Sequence, residues 1–400
     1  MGESIVVNVD ELWLRGKNRS LYFKALIKHV RETFWHYHGK DFSCQKEGNR
    51  ILVTTKGSFK NDIYLALKRV PGIHSFFFAK VLPVEYDNIY PAVKELVSSL
   101  KEMPNNFKVK TVRSFKRFPK NSQEVSREIG ERVLSDFPSL KAKMKNPELS
   151  IQINITEENI FVSVEKYFGM GGQPYGTTGH LITLLSGGFD SPVASYLMSK
   201  RGCSQTFIFF YSYPFVSEDV KDKILDLSSL LGRFQRETKL YVVPFGDMQK
   251  KISKSCRDEY RTLLFRKHMI ECAGILAKKL NAEALCTGDS LAQVSSQTMG
   301  NISLIDSSSK LSIFRPLLGF NKSETISIAN KIDTYSISER PHDDACSLFA
   351  PKHPIIKPDK KYWEDYEESV DYTEELESCL SNAEVYNISI CGEVEKVEAL

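Results

Sequence analysis

The 400-residue sequence contains no Cys-x-x-Cys pair. Its eight cysteines, at 44, 203, 256, 272, 286, 346, 379 and 391, never come closer than twelve residues to one another. That spacing excludes a local zinc ribbon, a dithiol redox motif and a ferredoxin-type cluster, and it reads as isolated thiols in a reducing compartment. No apolar run approaches the ~18 residues of a membrane-spanning helix. The opening Met1-Gly2-Glu3-Ser4-Ile5-Val6 lacks the basic-then-apolar layout of a secretion signal, so the expected location is the cytoplasm. Gly-x-x-x-x-Gly-Lys-Ser/Thr is missing too, which removes the kinase-type phosphate loop. Internal repeats and low-complexity stretches are absent.

What is present is an ordinary soluble composition, 42% apolar and 26% charged. The length exceeds one ordinary core and calls for two or three domains. The net charge of +4 is modest but unevenly placed. Residues 101–145 carry twelve basic side chains against five acidic ones, whereas 359–400 carry thirteen acids against three lysines. A polyanion-binding middle and a solvated acidic end are expected from this asymmetry.

The first half alternates strand and helix signals irregularly. Strands are expected at 4–9, 50–54, 74–81, 107–112, 149–155 and 160–165. Helices are expected in the 21–34 region, at 62–70 and 89–100, and after Asn121, where Glu124 three residues on resembles a capping box. A glycine-rich joint follows (Gly169, Gly171, Gly172, Gly176, Gly179), and regular α/β alternation begins at His180. Its strands, 181–185, 205–210, 240–244 and 284–288, separated by helices, imply βαβ units and a parallel sheet.

One segment carries most of the chemistry. Leu181-Ile182-Thr183-Leu184-Leu185 runs into Ser186-Gly187-Gly188-Phe189-Asp190-Ser191-Pro192. This is a buried strand, a tight glycine turn, and a helix with proline in its first turn. Such a turn lets backbone approach an anion and aims free helix N–H groups at it. Ser186 and Ser191 add hydroxyls, and Asp190 has the chemistry to hold a Mg²⁺ that bridges phosphates. A second polar loop, Gly288-Asp289-Ser290 through Gln297, follows the strand at 284–288. That is the carboxyl edge where open parallel sheets bind ligands.

These segments resemble the tRNA 4-thiouridine synthetase (tRNA uracil 4-sulfurtransferase) family. The phosphate turn is similar to the pyrophosphatase-type loop of adenylating enzymes. Glu11-Leu12-Trp13-Leu14-Arg15-Gly16-Lys17-Asn18-Arg19 resembles the family's ferredoxin-like signature. Phe107-Lys108-Val109-Lys110 with Arg113, Lys116, Phe118-Pro119 and Ser122 is similar to its THUMP domain. Gly171 to Gly176, Phe209 to Phe215, Thr287 to Thr298, Arg315-Pro316-Leu317 and Ala345 to Pro354 follow in the family's order, so the resemblance covers residues 5–358.

The resemblance implies an α/β fold. A doubly wound parallel-sheet catalytic domain (180–358) of the adenine nucleotide alpha hydrolase-like type stands behind a ferredoxin-like domain (1–60), a THUMP domain (61–166) and a glycine-rich linker (167–179). An acidic extension (359–400) follows, too short for the C-terminal rhodanese domain that many members carry. ATP is implied to bind at Leu184, Leu185, Ser186, Gly187, Gly188, Ser191, Phe209, Phe210, Arg266, Gly288 and Gln297, with Mg²⁺ at Asp190. Transfer RNA is expected on the basic stretch at Lys108, Lys110, Arg113, Lys116, Arg117 and Lys120. The implied reaction adenylates the uracil 4-oxygen of a tRNA uridine, at position 8, and releases pyrophosphate. Sulfur then arrives as a persulfide on Cys346 from a separate cysteine desulfurase. Cys203 is a weaker second sulfur candidate. The family resemblance also implies a homodimer and an association with thiamine biosynthesis. Another tRNA-thiolating or amide-forming adenylating enzyme, or a non-catalytic THUMP RNA-binding protein, are the alternatives at this point.

Overall fold

The computed structural model describes residues 3–11, 16, 18–60, 62–341 and 351–398. The chain divides into two units, residues 1–171 and 172–400.

In the first unit the elements are β1 (Ser4–Val9), α1 (Arg19–Tyr37), β2 (Phe42–Glu47), β3 (Arg50–Thr55), α2 (Ile63–Arg69), β4 (Ile73–Leu82), α3 (Ile89–Ser98), β5 (Asn106–Arg113), α4 (Ser122–Asp136), β6 (Lys141–Ala142), β7 (Leu149–Ile155), β8 (Ile160–Ser163) and β9 (Tyr167–Phe168). They form one sheet of order β2-β3-β1-β4-β8-β7-β5-β6, with β9 added on β4. β4 is the shared strand. Its first part pairs with β1 from Ile73 to Ala79, and Lys80 to Leu82 pair with β8. Two helical layers cover the sheet. Phe23, Leu26, Val30 and Phe34 of α1 bury against Ile5, Val7 and Val53, while Val125, Ile129 and Val133 of α4 bury with Val93 of α3 against Phe107, Ile151 and Ile153. These are helical periods, three and four residues apart, meeting strand periods of two. Asn121 and Glu124 do form a reciprocal capping box.

The first core runs further than residue 60. Ile63 and Leu67 of α2, Val70, Ile73 and Phe76 all bury with α1 and β1. The expected boundary at 60/61 therefore moves into β4, because the apolar side of α2 has its partners in the first layer.

The second unit contains β10 (His180–Leu184), α5 (Asp190–Lys200), β11 (Ser204–Tyr211), α6 (Glu218–Gly232), β12 (Glu237–Pro244), α7 (Gly246–Ser255), α8 (Arg261–Lys279), β13 (Ala284–Cys286), α9 (Met299–Ser307), β14 (Ser312–Phe314), α10 (Lys322–Lys331), α11 (Tyr335–Ser338), α12 (Lys360–Ser369), α13 (Thr373–Ser381), β15 (Glu384–Ser389) and β16 (Val394–Val397). The sheet order is β14-β13-β10-β11-β12-β15-β16. The first five strands are mutually parallel, and β15 and β16 join antiparallel. Alternate residues of β11 serve opposite faces. Phe207 and Phe209 meet Val220, Ile224 and Leu227 of α6, whereas Ile208 and Phe210 meet Leu264 and Phe265 of α8. At the joint, Gly172 has φ +81° and a Cβ there would lie 1.8 Å from the Lys200 carbonyl oxygen, so only glycine fits.

The acidic segment 359–400, expected as a solvated extension, is part of this unit. Trp363 and Tyr366 of α12 and Leu376 and Leu380 of α13 are buried in the core of α8, and the β15–β16 hairpin extends the sheet. The acids of α12 occupy its exposed side. Charge density hid a short amphipathic pattern of two aromatics three residues apart. Among the described residues no helix is long and apolar enough to cross a membrane.

Candidate active site

β10 lies between β11 and β13, so the chain winds outward in both directions from it. The crevice beyond the carboxyl ends of these strands is the topological switch point of the sheet. A cavity of about 560 Å³ opens there. Leu184, Leu185, Ser186, Gly187, Gly188, Asp190, Ser191, Phe209, Phe210, Arg266, Gly288 and Gln297 all line it, so the structure gathers every expected nucleotide residue into one pocket.

The loop after β10 is folded from within. Ser186 N–H donates to Ser191 Oγ at 2.8 Å, and Ser191 Oγ lies 3.1 Å from Ser186 Oγ. The Ser191 hydroxyl is thus engaged in closing the turn. A Cβ on Gly288 would lie 2.5 Å from the Ser191 backbone nitrogen. Glycine at 288 is what lets the β13 loop close over the start of α5.

Asp190 is met from two sides. Lys322 Nζ lies 3.0 Å from each carboxylate oxygen, and Gln293 Nε2 donates to Oδ2 at 2.9 Å. Lys322 opens α10, where Asn321 and Glu324 form a second capping box, and its ammonium stands 5.3 Å from the Phe189 ring centroid. Deeper in the pocket, Arg266 and Arg315 both pair with the buried Asp289, and Arg266 Nη1 donates to Ser296 Oγ at 3.3 Å. Burial alone would raise the Asp289 carboxyl. Arg266 most of all, with the hydrogen bonds and Arg315, holds it well below the usual carboxylate range instead.

Three family models match the chain: the ThiI ferredoxin-like domain over residues 4–76, the THUMP domain over 84–165, and "Thiamine biosynthesis protein (ThiI)" over 176–372. A protein of Thermoanaerobacter pseudethanolicus named "Probable tRNA sulfurtransferase" is 38% identical, the match covering 92% of this chain and 99% of its own length. The chain belongs to the ThiI family of tRNA sulfurtransferases. A Brevibacillus brevis relative of the same name is 34% identical over 96% of both chains. A solved 4-thiouridine synthetase, crystallised with RNA and bound ATP, is 29% identical. It superposes with a TM-score of 0.87 over 97% of this chain and 100% of its own.

Within this ThiI chain, the sulfur candidates stand differently. Cys346 lies outside the described residues. The described ends of its stretch are anchored near the pocket. Ser338 Oγ donates to the Gly188 carbonyl at 3.2 Å, and Lys223 Nζ donates to the Ser338 and Arg340 carbonyls at 2.9 and 2.7 Å. On the far side Pro354 lines the cavity, and Asn301 Nδ2 donates to Ile355 O at 2.8 Å. Cys203 is not placed for sulfur transfer. It is buried just before β11, at the amino edge of the sheet, away from the carboxyl-edge pocket, and burial pushes its thiol up.

The basic residues of the first unit divide by role. Arg113 Nη1 donates to the carbonyls of Lys116, Phe118 and Lys120, so it folds the 114–120 loop. Lys120 pairs with Glu128 and sits 4.0 Å from the Tyr86 ring centroid. Lys108 Nζ donates to Met144 O at 3.3 Å, while Lys116 and Arg117 are exposed. Lys110 lines a separate cavity of about 210 Å³ with Arg50, His74, Asn154 and Lys166. Arg50 Nη2 donates to Asn154 Oδ1 at 3.1 Å, and its Nη1 is buried with no partner among the described residues. Burial first, then Lys110, pushes the Lys166 ammonium down.

The sequence reading missed Lys322, Gln293, Arg50 and Lys166. For Lys322 a signal existed: Asn321-x-x-Glu324 marks a helix start, and a lysine in a first turn runs against the helix dipole, which calls for a reason. Arg50 and Lys166 gave none, since each lies far in sequence from the basic stretch.

Proposed function

We propose that this protein is an ATP-dependent tRNA sulfurtransferase that converts a tRNA uridine, at position 8, to 4-thiouridine. The observation that carries this reading is the Asp190–Lys322 pair at the mouth of a phosphate loop, in a chain aligned nearly end to end with tRNA sulfurtransferases. A strand–helix turn that only had to fold would need neither charge.

The backbone N–H groups of Gly187 and Gly188 and of the first turn of α5 hold the leaving phosphates of ATP. The uracil 4-oxygen attacks the α-phosphorus, the bond from that phosphorus to the β-phosphate oxygen breaks, and pyrophosphate leaves. Lys322 meets the negative charge that grows on the departing group. Asp190 fits a Mg²⁺ site, because Mg²⁺ takes one or two carboxylates plus substrate phosphates and keeps its waters. The other acid in the wall, Asp289, is buried beneath two arginines, whereas Asp190 is part-exposed and paired with the single cation Lys322. When bound, the ion supplies charge neutralisation for the pyrophosphate.

Sulfur transfer follows. The terminal sulfur of a persulfide on Cys346, delivered by a cysteine desulfurase, attacks C4, and AMP departs with the oxygen. A second thiol then attacks Cys346 Sγ and breaks the S–S bond, leaving sulfur on the uracil and Cys346 in a disulfide with that thiol. Transfer RNA is held by phosphate contacts to Lys108, Lys110, Lys116, Arg117 and Lys120, with Arg113 shaping the loop that presents the last three, and the Arg50–Lys110–Lys166 cavity takes one phosphate. A homodimer on one tRNA, implied by the family resemblance, belongs to the same reading. Pyrophosphate release from ATP, assayed with and without unmodified tRNA, tests it. Release should depend on tRNA, and release indifferent to tRNA would point to another adenylated substrate.

A further inference from the structure

Asp289, in the wall of the nucleotide pocket, is engaged at both carboxylate oxygens. It is 3% exposed. Its Oδ1 accepts from Arg266 Nη2 and, at 3.2 Å, from Gln297 Nε2. Its Oδ2 accepts from Arg315 Nε at 3.0 Å and Thr287 Oγ1 at 2.7 Å. Two guanidinium groups keep this carboxyl ionised, so it can only accept hydrogen bonds.

That fact orients its neighbour. A primary amide has one donating end and one accepting end. The end of Gln297 that faces an acceptor-only carboxylate must be the NH₂, and the opposite end is then the carbonyl Oε1. This oxygen is buried and has no hydrogen-bond partner among the described residues, although Gln297 is 7% exposed and lines the cavity. A buried acceptor left unmatched in the free protein is a site waiting for a donor.

We propose that Asp289 is a positioning residue for nucleotide selection, locking the Gln297 amide so that Oε1 accepts a hydrogen bond from the nucleoside half of ATP. The donor is a ribose hydroxyl or the adenine amino group. An ionised phosphate oxygen carries no proton to offer and is excluded as the partner. Gln297 thereby reads the nucleoside, while the loop after β10 holds the phosphates. This inference rests on the ATP reading of the pocket.

The test is calorimetric binding of ATP, 2′-deoxy-ATP, 3′-deoxy-ATP and ITP to the full chain. Wild type should bind one of the three analogues about tenfold or more weakly than ATP, because that analogue leaves Oε1 unpaired. The weak analogue names the donor. Asp289→Asn offers Gln297 an NH₂ of its own, so the amide is free to turn, and the ATP-to-analogue ratio should fall to within about twofold of one. Gln297→Met keeps the side-chain length and removes the amide, so it should erase the same ratio with Asp289 intact. It carries the test if Asp289→Asn does not fold. A variant that weakens ATP and analogues by one common factor would reduce Asp289 to a wall support and overturn the proposal. Wild type binding all four alike would overturn it as well. Failure of wild type to bind ATP at all would remove the ATP reading together with the inference.

Discussion

The Lys322 ammonium bridges both carboxylate oxygens of Asp190 at 3.0 Å, linking the first turn of α10 to the first turn of α5. Both side chains are partly exposed, at 44% and 20%. A pair in that setting contributes ~0–1 kcal/mol to stability. Its value lies in placing one cation and one anion where a triphosphate arrives.

Asp190→Asn and Lys322→Met should each keep tRNA affinity and lose pyrophosphate release, by on the order of a hundredfold or more. Filter binding of tRNA and a pyrophosphate assay separate the two. A parallel loss of tRNA affinity would contradict the assignment to the phosphate end.

Transfer RNA binding should weaken steeply with salt. Replacing Lys116 and Arg117 with Ala should shallow the slope of log affinity against log salt by about one per lost phosphate contact. Lys120→Ala should do less, since Glu128 already neutralises that ammonium. Equal effects at the three positions would mean the Lys120–Glu128 pair opens when RNA binds.

Lys223 gives a pH signature. Burial, then Arg340, pushes its ammonium down to about 8 from 10.5. Between those values the unfolded chain binds more protons than the native one, so native stability rises with pH across that window. Lys223→Met lacks the titration. The wild-type-minus-variant difference in unfolding free energy should therefore grow from pH 8 to pH 10, by at most about 1.4 kcal/mol per pH unit. Denaturant titrations at pH 7, 8, 9 and 10 check this, and a flat difference would contradict it.

Cys346→Ser should still release pyrophosphate with tRNA but make no 4-thiouridine from desulfurase-borne sulfur, because serine matches the thiol in size and forms no persulfide. Excess free sulfide should partly restore the product, since sulfide attacks the adenylated uracil directly. Normal thiolation from the desulfurase would remove the carrier role, and loss of pyrophosphate release would make the cysteine structural.

Much of the catalytic sheet was legible because its strands are apolar runs with few alternatives, and because Ser186-Gly187-Gly188 is a local feature with a local cause. The pocket's polar half was less legible. Asp289 and Arg315 stand in plain view in sequence, yet their pairing is set by β13 and β14 lying side by side, which only the fold decides. The acidic end was misjudged for a different reason. Trp363 and Tyr366 make a two-residue apolar stripe, too short to register against thirteen acids in 359–400. In the first unit, Arg50 and Lys110 line one cavity because strands from two sequence regions share a single sheet through β4.

The most direct measurement is nucleoside analysis of unmodified tRNA after incubation with the full chain, ATP and a cysteine desulfurase with cysteine. 4-Thiouridine should form only when ATP is present, with one pyrophosphate released per thionucleoside. A different thionucleoside, or 4-thiouridine formed without ATP, would contradict the account.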